Sequence, residues 1–229
     1  MLRRTYLAVR LSVVFAVSVL SADMGTMTFR IRDSVTHFPV QAVIKGEGPT
    51  SFSLVTDAKG QAKIALPEGQ YRLEISATGY DPMRTHYLIN AGKTTPAGAL
   101  LHSQVLPPEE RPEALEPLLR SGYTLLHEYV VDADTGEPIR GVKVHLVDAG
   151  VETQTEGKGH FLLSVPTPKP KYPGGLGTDT LIYEKVGYKT LILRNFGIGS
   201  DEMGPTAVDL PKGKGVIDQD ATHKLLRGL

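Results

Sequence analysis

The sequence predicts an all-β protein built as two tandem β-sandwiches, and three observations carry that expectation. Shifted by 99 positions, the 229-residue chain partly lies on itself. Asp33, Thr36, Pro39, Val43, Thr56, Lys59, Gly60 and Pro67 fall on Asp132, Thr135, Pro138, Val142, Thr155, Lys158, Gly159 and Pro166 without a gap. Turn residues must keep their spacing for strands to stay in register, so such a match implies one unit used twice. Short segments that alternate apolar and polar residues are broken by Gly, Pro and Asp, as in a sandwich. Finally, no segment of the first unit has helical period.

Residues 1–22 read as a secretory signal peptide. Arg3, Arg4 and Arg10 precede an apolar run from Leu11 to Leu20 that ends in the small residues Ser21 and Ala22. The run is shorter than the roughly 20 apolar residues that a membrane span requires. The first sandwich is expected over residues 25–105. Thr28-Phe29-Arg30-Ile31-Arg32 alternates, residues 36–39 turn, and Val40 to Ile44 reads as the next strand. Thr56-Asp57-Ala58-Lys59-Gly60 has the Asp and Gly of a tight hairpin. Ala62 to Leu66 alternates and stops at Pro67, and Tyr71 to Ala77 alternates up to Gly79-Tyr80. Residues 106–121, with Pro107, Pro108, Pro112 and Pro117 among charges, read as a stiff solvated spacer. A short helix over residues 113–120 would be limited by Pro117, and Leu115, Leu118 and Leu119 would form its apolar face.

The second sandwich is expected over residues 122–211. Gly79-Tyr80 returns as Gly187-Tyr188, nine residues later than the 99-residue offset requires, so the extra residues belong to a Pro/Gly-rich loop over residues 166–179. Residues 212–229 form a polar tail with a helical turn or two near residues 223–227. Separate cores are expected, with Val43, Ile64, Leu66, Leu73 and Ile75 buried in the first. Val142, Val144, Leu146, Phe161, Leu163 and Val165 are their counterparts in the second.

The order Asp-x-x-Thr-Gly-x-Pro-[Val/Ile]-x-Gly-Val, Thr-[Asp/Glu]-x-x-Gly, Pro-x-Gly-x-Tyr and Gly-Tyr resembles the carboxypeptidase regulatory-like domain. The second unit carries the resemblance at Asp132, Thr135, Gly136, Pro138, Ile139, Gly141, Thr155, Gly159, Phe161, Gly187 and Tyr188. In the first it rests on Asp33, Thr36, Pro39, Val40, Ala42, Thr56, Asp57, Gly60, Pro67, Gly69, Tyr71, Gly79 and Tyr80. His37-Phe38 replaces the usual Gly-containing turn, which must then be built differently. The resemblance implies seven-stranded, transthyretin-like (Ig-like) sandwiches and a non-catalytic module of exported proteins. It also implies a broader carbohydrate-binding-like superfamily.

Composition narrows the function classes. Lys plus Arg and Asp plus Glu both total 25, so there is no basic surplus for nucleic acid. With no cysteine there are no disulfides, and stability must come from the cores. None of the seven histidines is followed by Glu at the third position, and His127-Glu128 lacks the second His of a metalloprotease helix, since Val131 stands there. Asp132-x-Asp134 and Asp218-x-Asp220 miss the Gly and Glu of a calcium loop. There is no Gly-x-Ser-x-Gly elbow and no thiol, and Gly174-Gly175-Leu176-Gly177 lacks the Lys-Ser/Thr of a phosphate cradle. Tyr80 and Tyr188, each after a Gly, read as structural tyrosines with the hydroxyl on backbone.

The expectation is a secreted or periplasmic, non-enzymatic binding or accessory module, without cofactor or metal and without membrane insertion after signal cleavage. Its partner would be another envelope protein or a polysaccharide. The alternatives are a carbohydrate-binding module using loop residues 167–177, and an enzyme with no local motif. The candidate ligand-binding residues are Tyr172, Lys169, Lys171 and Asp179.

Overall fold

The computed structural model describes residues 23–170, 175–199 and 201–221, so the signal-like segment and the helical turn expected near residues 223–227 lie outside the described residues. The first seven strands are β1 (Met24–Asp33), β2 (Val43–Glu47), β3 (Phe52–Val55), β4 (Gln61–Pro67), β5 (Gly69–Ser76), β6 (Met83–Ile89) and β7 (Thr94–Leu101). They form a sheet ordered β4-β1-β7 and a second ordered β3-β2-β5-β6. Eight strands follow the linker: β8 (Tyr123–Asp132), β9 (Lys143–Leu146), β10 (Val151–Gln154), β11 (His160–Pro166), β12 (Gly177–Glu184), β13 (Thr190–Ile198), β14 (Asp201–Leu210) and β15 (Val216–Asp220). Their sheets run β11-β8-β14 and β10-β9-β12-β13-β15. In both halves the first strand pairs antiparallel with the fourth and parallel with the seventh.

The repeat reappears as geometry. β1, β3 and β4 map onto β8, β10 and β11 end to end at the 99-residue offset, and β5 maps onto β12 after the loop insertion. Gly60 and Gly159 both have positive φ, and a Cβ on either would strike a carbonyl of the first strand, Ile31 or Val130. Each hairpin is therefore tied to its sheet through a residue that only glycine can supply.

Several expectations need correction. The second half has an eighth strand, because residues 216–220 of the tail pair parallel with β13 and Arg194 grips Asp218 at 2.9 Å. The repeat is also not gapless in space. Thr56 Oγ1 donates to the Val40 carbonyl and accepts from the Ala42 N–H, whereas Thr155 Oγ1 does the same with Ile139 and Val142. One extra residue thus precedes Val142, and the next turn gives it back, since Gly46 faces Phe52 but Leu146 faces Val151. A one-residue slip exchanges the faces of a strand. Val43 is consequently only half-buried and Ile44 takes the core position, while Val142, Val144 and Leu146 are all buried. Ile64, on the edge strand β4, is half-buried against its core. The other predicted core residues, including Phe161, Leu163 and Val165, are buried.

The third correction is the His37 turn, which is built like its glycine counterpart. His37 adopts φ 57° where Gly136 has 76°, and Asp33 Oδ1 accepts the Val35 and Thr36 N–H groups as Asp132 Oδ1 accepts those of Asp134 and Thr135. The fourth is Tyr188, whose hydroxyl donates to the Asp132 carboxylate at 3.0 Å rather than to backbone. Burial, and then the Asp33 carboxylate, push the Tyr80 hydroxyl up to about 12.

Two hydrophobic cores result, and they share no residue. The linker between them departs from a solvated spacer. Its residues form consecutive single turns, Pro108–Glu110, Pro112–Leu115 and Glu116–Leu118, in which Glu110 and Leu115 are buried and Leu118 is exposed. Leu119 is exposed as well. The halves also touch directly. Arg32 pairs with Asp209 at 2.7 Å and donates to the Ala133 carbonyl, and the His37 turn lies against Gly136.

Candidate functional site

Strand β8 explains why the linker is held. In a strand, alternate residues face opposite sides, yet every residue of β8 after Tyr123 is buried. Leu126 and Val130 face the core. The other face carries Leu125, His127, Tyr129 and Val131, and the linker covers it through Glu109 and Glu110.

Glu110 sits between two imidazoles. Its Oε2 lies 2.7 Å from His127 Nδ1 and its Oε1 lies 2.9 Å from His160 Nε2. The antiparallel register brings His160 of β11 opposite Tyr129, two residues along the strand from His127 and on the same face. The opposite ring nitrogen of His127, Nε2, hydrogen-bonds Glu202 on β14 at 3.2 Å. β14 reaches this close because position 204 is glycine, at φ 144°, where a Cβ would overlap the His127 carbonyl and ring. Around this centre the Tyr129 hydroxyl donates to Glu109 at 3.1 Å, and Lys158 donates to the same carboxylate at 3.2 Å. Tyr129 stacks on His160 with ring centres 4.7 Å apart and packs edge-to-face with Phe38 from the first sandwich.

Burial works against charge here, and the pairing overcomes it. Burial alone would push Glu110 up, but His127 and His160 outweigh it and hold the carboxyl at about 2. Burial would push His127 down, yet Glu110 and Glu202 raise it. Desolvation and the two glutamates of the linker push the Tyr129 hydroxyl far above its ordinary range. Among the described residues, Glu110, His127 and His160 form a group whose ligand atoms lie within 4.8 Å of one another, all buried.

On the core side of β8, Glu128 accepts hydrogen bonds from the Tyr183 hydroxyl and from Thr206. Beside it lies a cavity of about 340 Å³ lined mainly by Leu126, Leu193, Phe196, Met203 and Val208.

The described members of the sequence-predicted ligand set, Lys169 and Asp179, do not belong to this group. Tyr172 and Lys171 lie outside the described residues, and Lys169 is exposed on the loop. Asp179 is buried, and its carboxylate accepts the backbone N–H groups of Asp148, Ala149 and Thr180. It occupies the place that Tyr71 holds in β5, counted from Gly69 and Gly177. The glutamate–histidine group went unseen in sequence because its members lie on the linker and on two strands. One signal was available: Leu125 and Val131 stand on the same face of the strand as His127 and Tyr129 while Leu126 and Val130 stand on the other, and apolar residues on both faces mark a second covered face.

A scan of protein-family models finds no match, and a search of curated proteins finds none. Among solved structures, the Bacillus anthracis TIE protein is similar at 16% identity and TM-score 0.33, over 83% of this chain and 34% of that one. A streptococcal ancillary pilin has 16% identity and TM-score 0.31, over 84% of this chain and 63% of that one. The shaft pilin SpaA from Lactobacillus rhamnosus GG has 11% identity and TM-score 0.27, over 84% of this chain and 98% of that one. This chain thus spans about a third of the first structure and under two thirds of the second. At such low similarity the likenesses carry no argument about its role.

Proposed function

We propose that this chain is an exported, non-catalytic accessory module of the cell envelope or extracellular space, whose two sandwiches are held at a set angle to present one rigid surface to an envelope partner. The carrying observation is the fastening of the linker. Glu110 is buried between His127 and His160, and Arg32–Asp209 joins the two halves nearby. A flexible tether needs no buried carboxylate, because burying a charge is costly unless it is paired. The resemblance to carboxypeptidase regulatory-like domains and the signal-like residues 1–22 support the same reading. Among the described residues, no helix is long and apolar enough to cross a membrane.

Limited proteolysis with small-angle scattering tests it. The expected result is a linker that resists cleavage over residues 107–121 and a scattering profile fitted by one rigid arrangement. Rapid cleavage there, releasing two folded fragments, would overturn the rigid reading. Peptide, ester or glycoside hydrolysis lost on mutating a definable site would overturn the non-catalytic one.

A further inference from the structure

The geometry points to Glu110, His127 and His160 as a binding site for one divalent transition-metal ion, zinc being the natural probe, which clamps the linker onto the second sandwich. Without a metal the group is an ion-pair triad by distance, yet its atoms are not aligned as hydrogen bonds. Both Glu110 oxygens, His127 Nδ1 and His160 Nε2 are buried, and none of them makes a hydrogen bond of acceptable angle. At 2.7 and 2.9 Å these atoms are close without being hydrogen-bonded, and the ligand atoms of the three residues lie within 4.8 Å of one another. Buried polar atoms are otherwise nearly always satisfied.

The surroundings have the form that a metal ligand needs. A ligating histidine ordinarily gives its other ring N–H to a carboxylate, which sets the tautomer and the ring orientation. His127 has that partner: Nε2 meets Glu202, so a metal that displaces the Nδ1 proton takes the lone pair of the nitrogen that faces Glu110. Gly204 allows that support to come close. Two imidazoles and a carboxylate are donors suited to zinc and its first-row neighbours rather than to calcium or magnesium. With neutral imidazoles the group carries one buried negative charge, which a divalent cation offsets. Metal–ligand bonds of about 2.0–2.2 Å put tetrahedral ligand atoms roughly 3.4 Å apart. The Glu110 contacts must therefore open by roughly 0.5–0.7 Å.

The inference stands whatever the module's role, and it is tested by binding. The full chain, made without a histidine tag and stripped with a chelator, is titrated with zinc by calorimetry and with cobalt(II) by visible absorption. One equivalent of each should bind, with cobalt giving the intense bands of a low-symmetry site. Glu110→Gln and His160→Ala should abolish stoichiometric binding. Glu202→Gln should weaken it about 10–100-fold, and His86→Ala, an exposed histidine of the first sandwich, should leave it unchanged. Circular dichroism checks that each variant is folded. Should His160→Ala fail to fold, Glu202→Gln decides, since that side chain is partly exposed. Failure of the stripped wild-type chain to bind one equivalent, or full affinity in Glu110→Gln or Glu202→Gln, would overturn the site.

Discussion

Strands β1 and β8 hold the same place in the two sandwiches and meet opposite fates on their outer faces. On β1 that face carries Thr28, half-buried, and Arg30, exposed, beside an open depression of about 650 Å³. On β8 the equivalent positions are His127 and Tyr129, both fully buried beneath Glu109 and Glu110. The inward faces agree at Met27 and Ile31, which answer to Leu126 and Val130, while Glu128, hydrogen-bonded by Tyr183 and Thr206, replaces Phe29. A repeat thus preserves what every copy needs, its core and turns. The outer face is free to differ, and in the second copy the linker immediately ahead of it folds back onto its first strand.

The sharpest way to break the comparison lies in the cores. Phe161 is buried on β11, whereas Ala62 holds the corresponding place on β4 and is half-buried. Phe161→Ala should cost about 3–5 kcal/mol, seen as early unfolding of the second sandwich in urea while signals of the first persist. Simultaneous loss of both would show that the halves unfold as one.

Next come the outer faces. Removing Glu110 leaves His127 and His160 without their shared carboxylate, and breaking a buried pair in this way costs about 3 kcal/mol or more. Arg30→Ala, which removes only an exposed hydrogen bond to the Ala133 carbonyl, should cost about 1 kcal/mol or less. Equal effects of the two substitutions, in chemical denaturation, would mean that the linker contact contributes nothing.

A smaller effect probes the register slip. Val142 is fully buried and Val43 is not, so Val142→Ala should cost about 2 kcal/mol and Val43→Ala under about 1. The reverse order would restore a gapless repeat.

The smallest effect appears only in acid. Burial pushes Asp132 up, but Lys212, the N–H groups of Thr135 and Asp134, and the Tyr188 hydroxyl outweigh it and hold its carboxyl well below the usual range. A carboxyl lowered by folding adds stability above its unfolded value of about 3.9. That stability is lost as pH falls through the folded value. Lys212, 58% exposed, takes the place that Ser103 has beside Tyr80. Lys212→Ser should therefore move the acid-unfolding midpoint of the second sandwich slightly upward. An unchanged midpoint in an acid titration followed by circular dichroism would remove Lys212 from the account.

The sequence by itself determined the β architecture, the doubling of the unit, and most of the second core. Those features are local: alternation in strands and Asp, Gly and Pro in turns act over a few residues, and a repeated spacing carries them from one copy to the next. It left three things to the tertiary structure. The slip at Val43 shows in which N–H reaches the threonine hydroxyl, that of Ala42 at Thr56 but that of Val142 at Thr155, a contact made across the sheet. β15 arises because a polar tail finds a free edge on β13, and its partner lies outside its own stretch of sequence. The group of Glu110, His127 and His160 joins a linker to two strands. No spacing rule relates a linker residue to a strand face, because packing alone decides which face the linker covers.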